Sequence, residues 1–154
     1  MHSIRHRDLG TPAPQAPEPV ISLEIDGHSV SVPQGTSVLR AAALAGVDVP
    51  KLCATDTLQA CGSCRLCLVE IEGQKGLPAS CTTLAAPGMK VRTTSPHIEE
   101  IRRGVLELYV SEQPADWASR PAHQGTRLLQ MATRHGVLDS PYASAAPPAL
   151  QAIS

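Results

Sequence analysis

The sequence predicts an α+β fold with a short helical extension, and three observations carry that expectation. Two stretches of alternating apolar residues meet at Asp26–Gly27. A run of helical period with a capping residue follows them directly. Beyond Ser95 the apolar spacing changes to that of helices alone.

Each element has its own warrant. In "VISLEI" alternation places Ile21, Leu23 and Ile25 on one face. Asp26 and Gly27 both tolerate positive φ, so "DG" predicts a tight hairpin turn. "HSVSV" then returns with Val30 and Val32 inward. Thr36 or Ser37 caps the next helix, whose apolar face is Val38, Leu39, Ala42, Ala43 and Leu44, and Gly46 stops it. A hairpin crossed by a helix is the opening of a β-grasp domain. "RLCLVEIE" and "MKVRTTS" are expected as later strands, with "GLPASC" between them as a short strand running into a turn. "PHIEEIRRGVLELYVSEQ" predicts a helix starting near Pro96, with Ile98, Ile101, Val105, Leu108 and Tyr109 as its apolar stripe. "TRLLQMATRHGVL" predicts a second helix that stops at Gly136. The expected organisation is a flexible proline-rich leader over 1–19, a β-grasp domain over 20–95, a helical extension over 96–138 and a flexible tail over 139–154.

Length and charge narrow the function. A chain of 154 residues suits one domain plus trimmings. Thirteen basic residues against fourteen acidic ones leave a net charge of −1. No basic block is present, and Arg5 and Arg7 are too few for a nucleic-acid footprint. No apolar stretch reaches the length of a membrane span, and the N-terminus lacks the apolar core of a secretory signal. A cytoplasmic location is therefore expected. Phenylalanine is absent, so the core must come from Val, Leu, Ile and Ala. That is thin for the length, and a bound metal group would supplement it.

Five cysteines leave one over from any set of disulfides, and in a reducing compartment clustered cysteines more often bind metal. Their order is Cys53-x7-Cys61-x2-Cys64-x2-Cys67-x13-Cys81. Two groupings compete. Cys53, Cys64, Cys67 and Cys81 have the form of plant-type [2Fe–2S] ligation, with a longer first gap. Cys61, Cys64 and Cys67 match the start of a bacterial C-x2-C-x2-C-x3-C-P run, but Ile71 and Glu72 stand where that run needs cysteine and proline. The first grouping leaves Cys61 spare, as a small buried hydrophobe or an exposed oxidation target. Gly62 and Ser63 are small enough to let the backbone approach an inorganic sulfide and donate N–H bonds to it. Arg65, between two cysteines, either offsets the cluster's charge or simply faces solvent. Structural zinc is the alternative metal, although Cys53 and Cys81 are singletons and zinc loops present close pairs.

Substrate chemistry has no visible carrier. Asp48, Asp56 and Glu70 form no evident acid–base pair. His97 and His135 fall near predicted helix ends, and the six histidines show no H-E-x-x-H spacing. "GTSVL" and "GSC" lack the full glycine-rich phosphate-loop pattern.

"VPKLCATDTLQACGSCRLCLVEIEG" with "PASCTT" resembles the N-terminal [2Fe–2S] ferredoxin-like domain of the large subunit of NAD-dependent formate dehydrogenases. It is similar as well to the matching domain of the large iron–sulfur subunit of respiratory complex I and of the diaphorase part of NAD-linked hydrogenases. The resemblance implies ligands at Cys53, Cys64, Cys67 and Cys81, and none at Cys61. It covers about Val20 to Val110. Beyond it, the family carries a [4Fe–4S] cluster held by one histidine and three cysteines. The corresponding positions here are Gln113, Trp117, Arg120 and Thr126, so the resemblance implies that this second cluster is lost. His123 alone cannot hold a cube.

The implied function is one-electron transfer through a single [2Fe–2S] cluster, as a non-catalytic component. The implied partners are an NADH/FMN diaphorase-type subunit and a formate dehydrogenase catalytic subunit. A free ferredoxin-like carrier, and a redox-sensing or assembly protein in which Cys61 matters most, are the competing readings. Trp117 and Arg120 are either docking anchors of the extension or, for Trp117, filler for the missing cluster's space.

Overall fold

The computed structural model describes residues 7–15 and 18–142. The chain divides into two compact units, Met1–Arg102 and Arg103–Ser154.

The first unit is an α+β domain of the β-grasp type. Strands β1 (Val20–Ile25) and β2 (His28–Pro33) form the hairpin, in register from Val20–Pro33 to Ile25–His28. Its turn holds Asp26 at φ 49° and Gly27 at φ 82°, the pair of positive angles that a two-residue hairpin loop demands. Ile21, Leu23, Ile25 and Val32 are buried as alternation requires, while Val30 is half-buried at the margin of the same core.

Helix α1 (Val38–Leu44) starts where Ser37 accepts the Arg40 N–H at 3.0 Å. It stops at Gly46 with the N–H of Val47 on Ala42 O and that of Gly46 on Ala43 O, a two-bond closure of the last turn. Val38, Leu39, Ala41 and Ala42 are its buried residues. Leu44, expected on that face, is 50 % exposed and Ala41 takes the place. Residue 41 lies three positions from Val38, whereas residue 44 has turned past the stripe.

The later strands are short. β3 (Glu70–Ile71) and β4 (Lys90–Arg92) complete a four-stranded sheet in the order β2-β1-β4-β3. β4 runs parallel to β1 and antiparallel to β3. "RLCLVEIE" therefore forms a ladder only over its last residues. Upstream, Leu68 makes a single bridge to Ala79, and Val69 N–H donates to Pro78 O at 3.1 Å.

The N-terminal segment departs from the unpacked leader that its composition predicts. Thr11 is buried and its hydroxyl meets Ser37 Oγ at 2.6 Å. Asp8 pairs with the buried Lys51 at 2.6 Å. A few specific polar partners hold these residues where proline content suggested none. Residues 1–6 and 16–17 of the leader, and 143–154 of the tail, lie outside the described residues.

Helix α2 (Pro96–Ser111) begins in the first unit, capped by Ser95 Oγ on Ile98 N–H, and continues into the second. Its buried positions are Ile98, Arg102, Leu106 and Val110. The predicted stripe is rotated: Ile101, Val105 and Tyr109 are only half-buried and Leu108 is exposed. An arginine in the middle of the buried stripe is the reason, because hydropathy assigns that side chain to solvent.

The second unit continues through two short 3-10 turns, Trp117–Ser119 and Pro121–His123, to helix α3 (Arg127–Arg134). Trp117, Met131, Ala132 and Val137 are buried in it. Thr126 caps α3 through Leu129 N–H, and α3 ends just before Gly136. Among the described residues no helix is long and apolar enough to cross a membrane.

Candidate metal centre

The cysteines lie in irregular backbone between α1 and β4. Cys64, Cys67 and Cys81 are buried, Cys53 is partly buried and Cys61 is exposed; all five are free. Of the two roles left open for Cys61, the buried hydrophobe is excluded. Its sulfur faces Ser63 Oγ at 3.5 Å.

The other four thiols are joined in two pairs. Cys53 accepts the N–H of Cys64 on its sulfur at 3.4 Å, and the two side chains also interact. Burial pushes the Cys53 thiol up, but that N–H, the Ser63 hydroxyl, the Cys64 side chain and the Ser63 N–H together bring it below its ordinary value. Burial pushes Cys64 up, against the N–H groups of Leu66, Cys53 and Leu52 directed at its sulfur. In the second pair the Cys67 and Cys81 side chains share a bond. That bond draws Cys67 down to about 6 against the opposing effect of burial, helped by the Cys81 N–H and Ser80. Cys81 is pushed well up by the same bond, by burial and by the neighbouring charges of Cys67, Cys53 and Cys64.

Among the described residues, no three His, Cys, Asp or Glu side chains group as a site for a single ion. Backbone donors aimed at Cys53 and Cys67 favour their thiolates, while Cys64 and Cys81 are held up as thiols.

The flanking residues divide. Gly62 is buried with φ 69°, and a Cβ there would meet Thr82 Cγ2 at 3.2 Å. Both its backbone angle and this close approach require glycine. Ser63 serves the Cys53 sulfur with both its N–H and its hydroxyl. Arg65 also has positive φ, 55°, and its side chain is exposed.

Three supporting residues escaped sequence reasoning. Ser80, fully buried, donates both its hydroxyl and its N–H to Cys67 O, at 2.7 and 2.9 Å. Lys51 joins Asp8 to Ala54 O beside Cys53. Arg102 spans Leu66 O, Leu68 O and Thr93 O. The one available signal was an arginine spaced four residues from both Ile98 and Leu106.

In the second unit the four positions corresponding to cluster ligands have structural duties. Gln113 bonds Tyr109 O at 3.4 Å, and Arg120 pairs with Asp116 at 2.8 Å. Thr126 caps α3, and Trp117 is 2 % exposed with its indole N–H on Leu138 O at 3.3 Å. The His123 ring sits edge-on to the indole at 6.1 Å.

A β-grasp sheet beside paired, buried thiols defines a thiolate-ligated iron–sulfur domain. The chain belongs to the 2Fe-2S iron-sulfur cluster binding domain family, whose model matches residues 18–96. Its cofactor is accordingly one [2Fe–2S] cluster, and its general role is electron transfer. The chain is 41 % identical over 133 residues to an NADH-quinone oxidoreductase subunit of Streptomyces coelicolor, covering 85 % of this chain and 16 % of that one. It is 43 % identical over 100 residues to the mitochondrial NADH dehydrogenase [ubiquinone] iron-sulfur protein 1 of Solanum tuberosum, covering 65 % of this chain and 14 % of that protein. A chain in the crystal structure of an H2-reduced NAD+-reducing [NiFe]-hydrogenase superposes with a TM-score of 0.65 at 30 % identity, covering 83 % of this chain and 54 % of that one. The protein thus spans less than a fifth of the length of these two curated relatives.

Proposed function

We propose that Cys53, Cys64, Cys67 and Cys81 hold the [2Fe–2S] cluster and that the protein relays single electrons within an NAD-linked oxidoreductase complex. The Cys64 N–H on the Cys53 sulfur at 3.4 Å, with Cys64, Cys67 and Cys81 free and buried and Cys61 exposed, supports this reading. When bound, the cluster takes up and gives back one electron at a time. The protein's own contribution is to bury Cys64, Cys67 and Cys81 and to aim backbone N–H groups at Cys53, Cys64 and Cys67, which stabilises the more negative state. Gly62 and Ser63 line the site, and Arg65 lies on its exposed side.

The partner reading is a diaphorase-type subunit that oxidises NADH through FMN, together with a second catalytic subunit. Relatives named as NADH-quinone oxidoreductase subunits, and a structural neighbour from an NAD+-reducing hydrogenase, support partners of this class. A formate dehydrogenase as the second subunit rests on the sequence resemblance alone, as does a cytoplasmic location on the chain's composition.

The test is anaerobic iron and acid-labile sulfide analysis with EPR of the dithionite-reduced protein. Wild type, Cys61→Ala and Cys53→Ala are compared. Two irons and two sulfides per chain are expected, with the signal kept in Cys61→Ala and lost in Cys53→Ala. Four irons with an absolute need for Cys61, or zinc without sulfide, would overturn the assignment. Copurification with NADH-oxidising subunits separates the subunit reading from a free carrier.

A further inference from the structure

Arg102 is 2 % exposed, and its guanidinium is committed in four directions. Nε donates to Leu66 O at 3.0 Å, and Nη2 to Leu68 O at 3.0 Å and Thr93 O at 2.9 Å. Nη1 reaches Glu99 Oε1 at 2.7 Å. A buried cation is costly unless its donors are satisfied and its charge is matched, and both conditions are met here. The arrangement is therefore a built one rather than a surface arginine folded inward.

Its acceptors locate its effect. Leu66 and Leu68 are the two chain neighbours of Cys67. The carbonyls before and after Cys67 both turn to Arg102. The carbonyl of Cys67 itself is held by Ser80, with a hydroxyl at 2.7 Å and an N–H at 2.9 Å. Three consecutive carbonyls are thus held from two sides, and little torsional freedom is left to the residue between them. Ser80 directly precedes Cys81, so one side of the clamp ties Cys67 to its paired thiol. The other side ties it to Thr93, just past β4, and to α2.

We infer that Arg102 is a positioning residue that fixes the Cys67 sulfur for the cluster by clamping the backbone on either side of it. The inference rests on the ligand reading of Cys67 given above. Charge alone does not define the role. The planar fork, which reaches several carbonyls at once, does, and lysine cannot reproduce it.

The experiment compares wild type, Arg102→Lys, Arg102→Met, Arg103→Lys and Cys67→Ala, each reconstituted anaerobically. Iron release to a chelator and the EPR g values of the reduced protein are measured, with circular dichroism of the apo-proteins. Arg103 is exposed on the same helix and pairs with Glu107, so its variant controls for general effects on α2. Arg102→Lys and Arg102→Met are both expected to lose iron about 10-fold faster or more, the usual scale for outer residues that orient metal ligands. Arg102→Lys is also expected to show shifted g values, while Arg103→Lys matches wild type. A folded apo Arg102→Lys that takes up no cluster also supports the role. Wild-type release and g values in Arg102→Lys would overturn it, whatever Arg102→Met does. So would equal changes in Arg103→Lys, or an apo Arg102→Lys that is unfolded, which would make the residue a requirement of the fold. A wild-type cluster in Cys67→Ala would overturn the ligand reading itself. A lost cluster there beside a normal Arg102→Lys overturns only the clamp.

Discussion

The cysteine loop of the first unit and the Trp117 turn of the second are both irregular backbone between regular elements, closed in different ways. The loop buries sulfur atoms and directs backbone N–H groups at them. Its centre is made for something that the chain does not encode. The turn buries one large indole, whose N–H is met by Leu138 O and whose ring is met by His123. Its centre is complete. The sequence resemblance gives the first segment its cluster ligands and implies that the second has lost its own, and the buried indole fills the second.

The sharpest way to break that comparison is to remove the cluster. Anaerobic chelation should open the loop, so that amides from Cys64 to Cys81 lose most of their protection from hydrogen exchange. Trp117, the only tryptophan, should keep its buried, blue-shifted fluorescence. Loss of both signals together would show that the turn is no more independent than the loop.

The converse substitution comes next in size. Trp117→Ala should cost about 3–5 kcal/mol of the second unit's stability in denaturant unfolding, the usual range for a large buried aromatic. The EPR signal should stay unchanged. A shifted signal would mean that the indole serves the cluster.

Gly62→Ala sharpens the comparison within the loop. The positive φ alone should cost about 1–2 kcal/mol, and Thr82 must give way as well. A lower thermal midpoint and faster bleaching of the visible spectrum are expected. Gly125, also at positive φ but with open space where a Cβ would go, is the matching position in the second unit. Ala there should lower the midpoint less and leave the bleaching rate alone.

The smallest effect belongs to the Asp8–Lys51 contact. Burial pushes the Asp8 carboxyl up, but hydrogen bonds from Lys51, Gly10 and Asp56 and the Lys51 charge bring it below its usual 3.8. A lowered carboxylate pKa stabilises the fold above the ordinary value, and the gain is lost as pH falls through the lowered one. Asp8→Asn should thus unfold slightly more easily at pH 7, by at most about 1 kcal/mol for so exposed a carboxylate. The difference should vanish in acid. A difference that persists there would assign it to packing.

Much of the fold is legible without coordinates, and particular residues show why. Ser37 and Gly46 bracket α1 because caps are decided by the backbone within one turn. Leu44 was misplaced because a seven-residue helix offers too few positions to fix the angle of its stripe. "RLCLVEIE" reads as one strand, yet its first half bonds to Arg102, Ser80 and Pro78 rather than to a neighbouring strand. Those partners are distant in sequence and follow no period.

By itself, the sequence determined the hairpin with its Asp26–Gly27 turn, the capped helix and the cysteine spacing that points to a four-thiolate site. Alternation, turn chemistry and ligand spacing are local properties, set by residues within a few positions of one another. Only the tertiary structure decided that Cys53 meets Cys64 and Cys67 meets Cys81, that Cys61 is exposed rather than buried, and that Asp8 is tied to Lys51. It also decided that an arginine 36 residues beyond Leu66 is buried against the cysteine segment. A polar side chain enters a core only where acceptors from several segments converge, and that convergence exists only after the chain has folded.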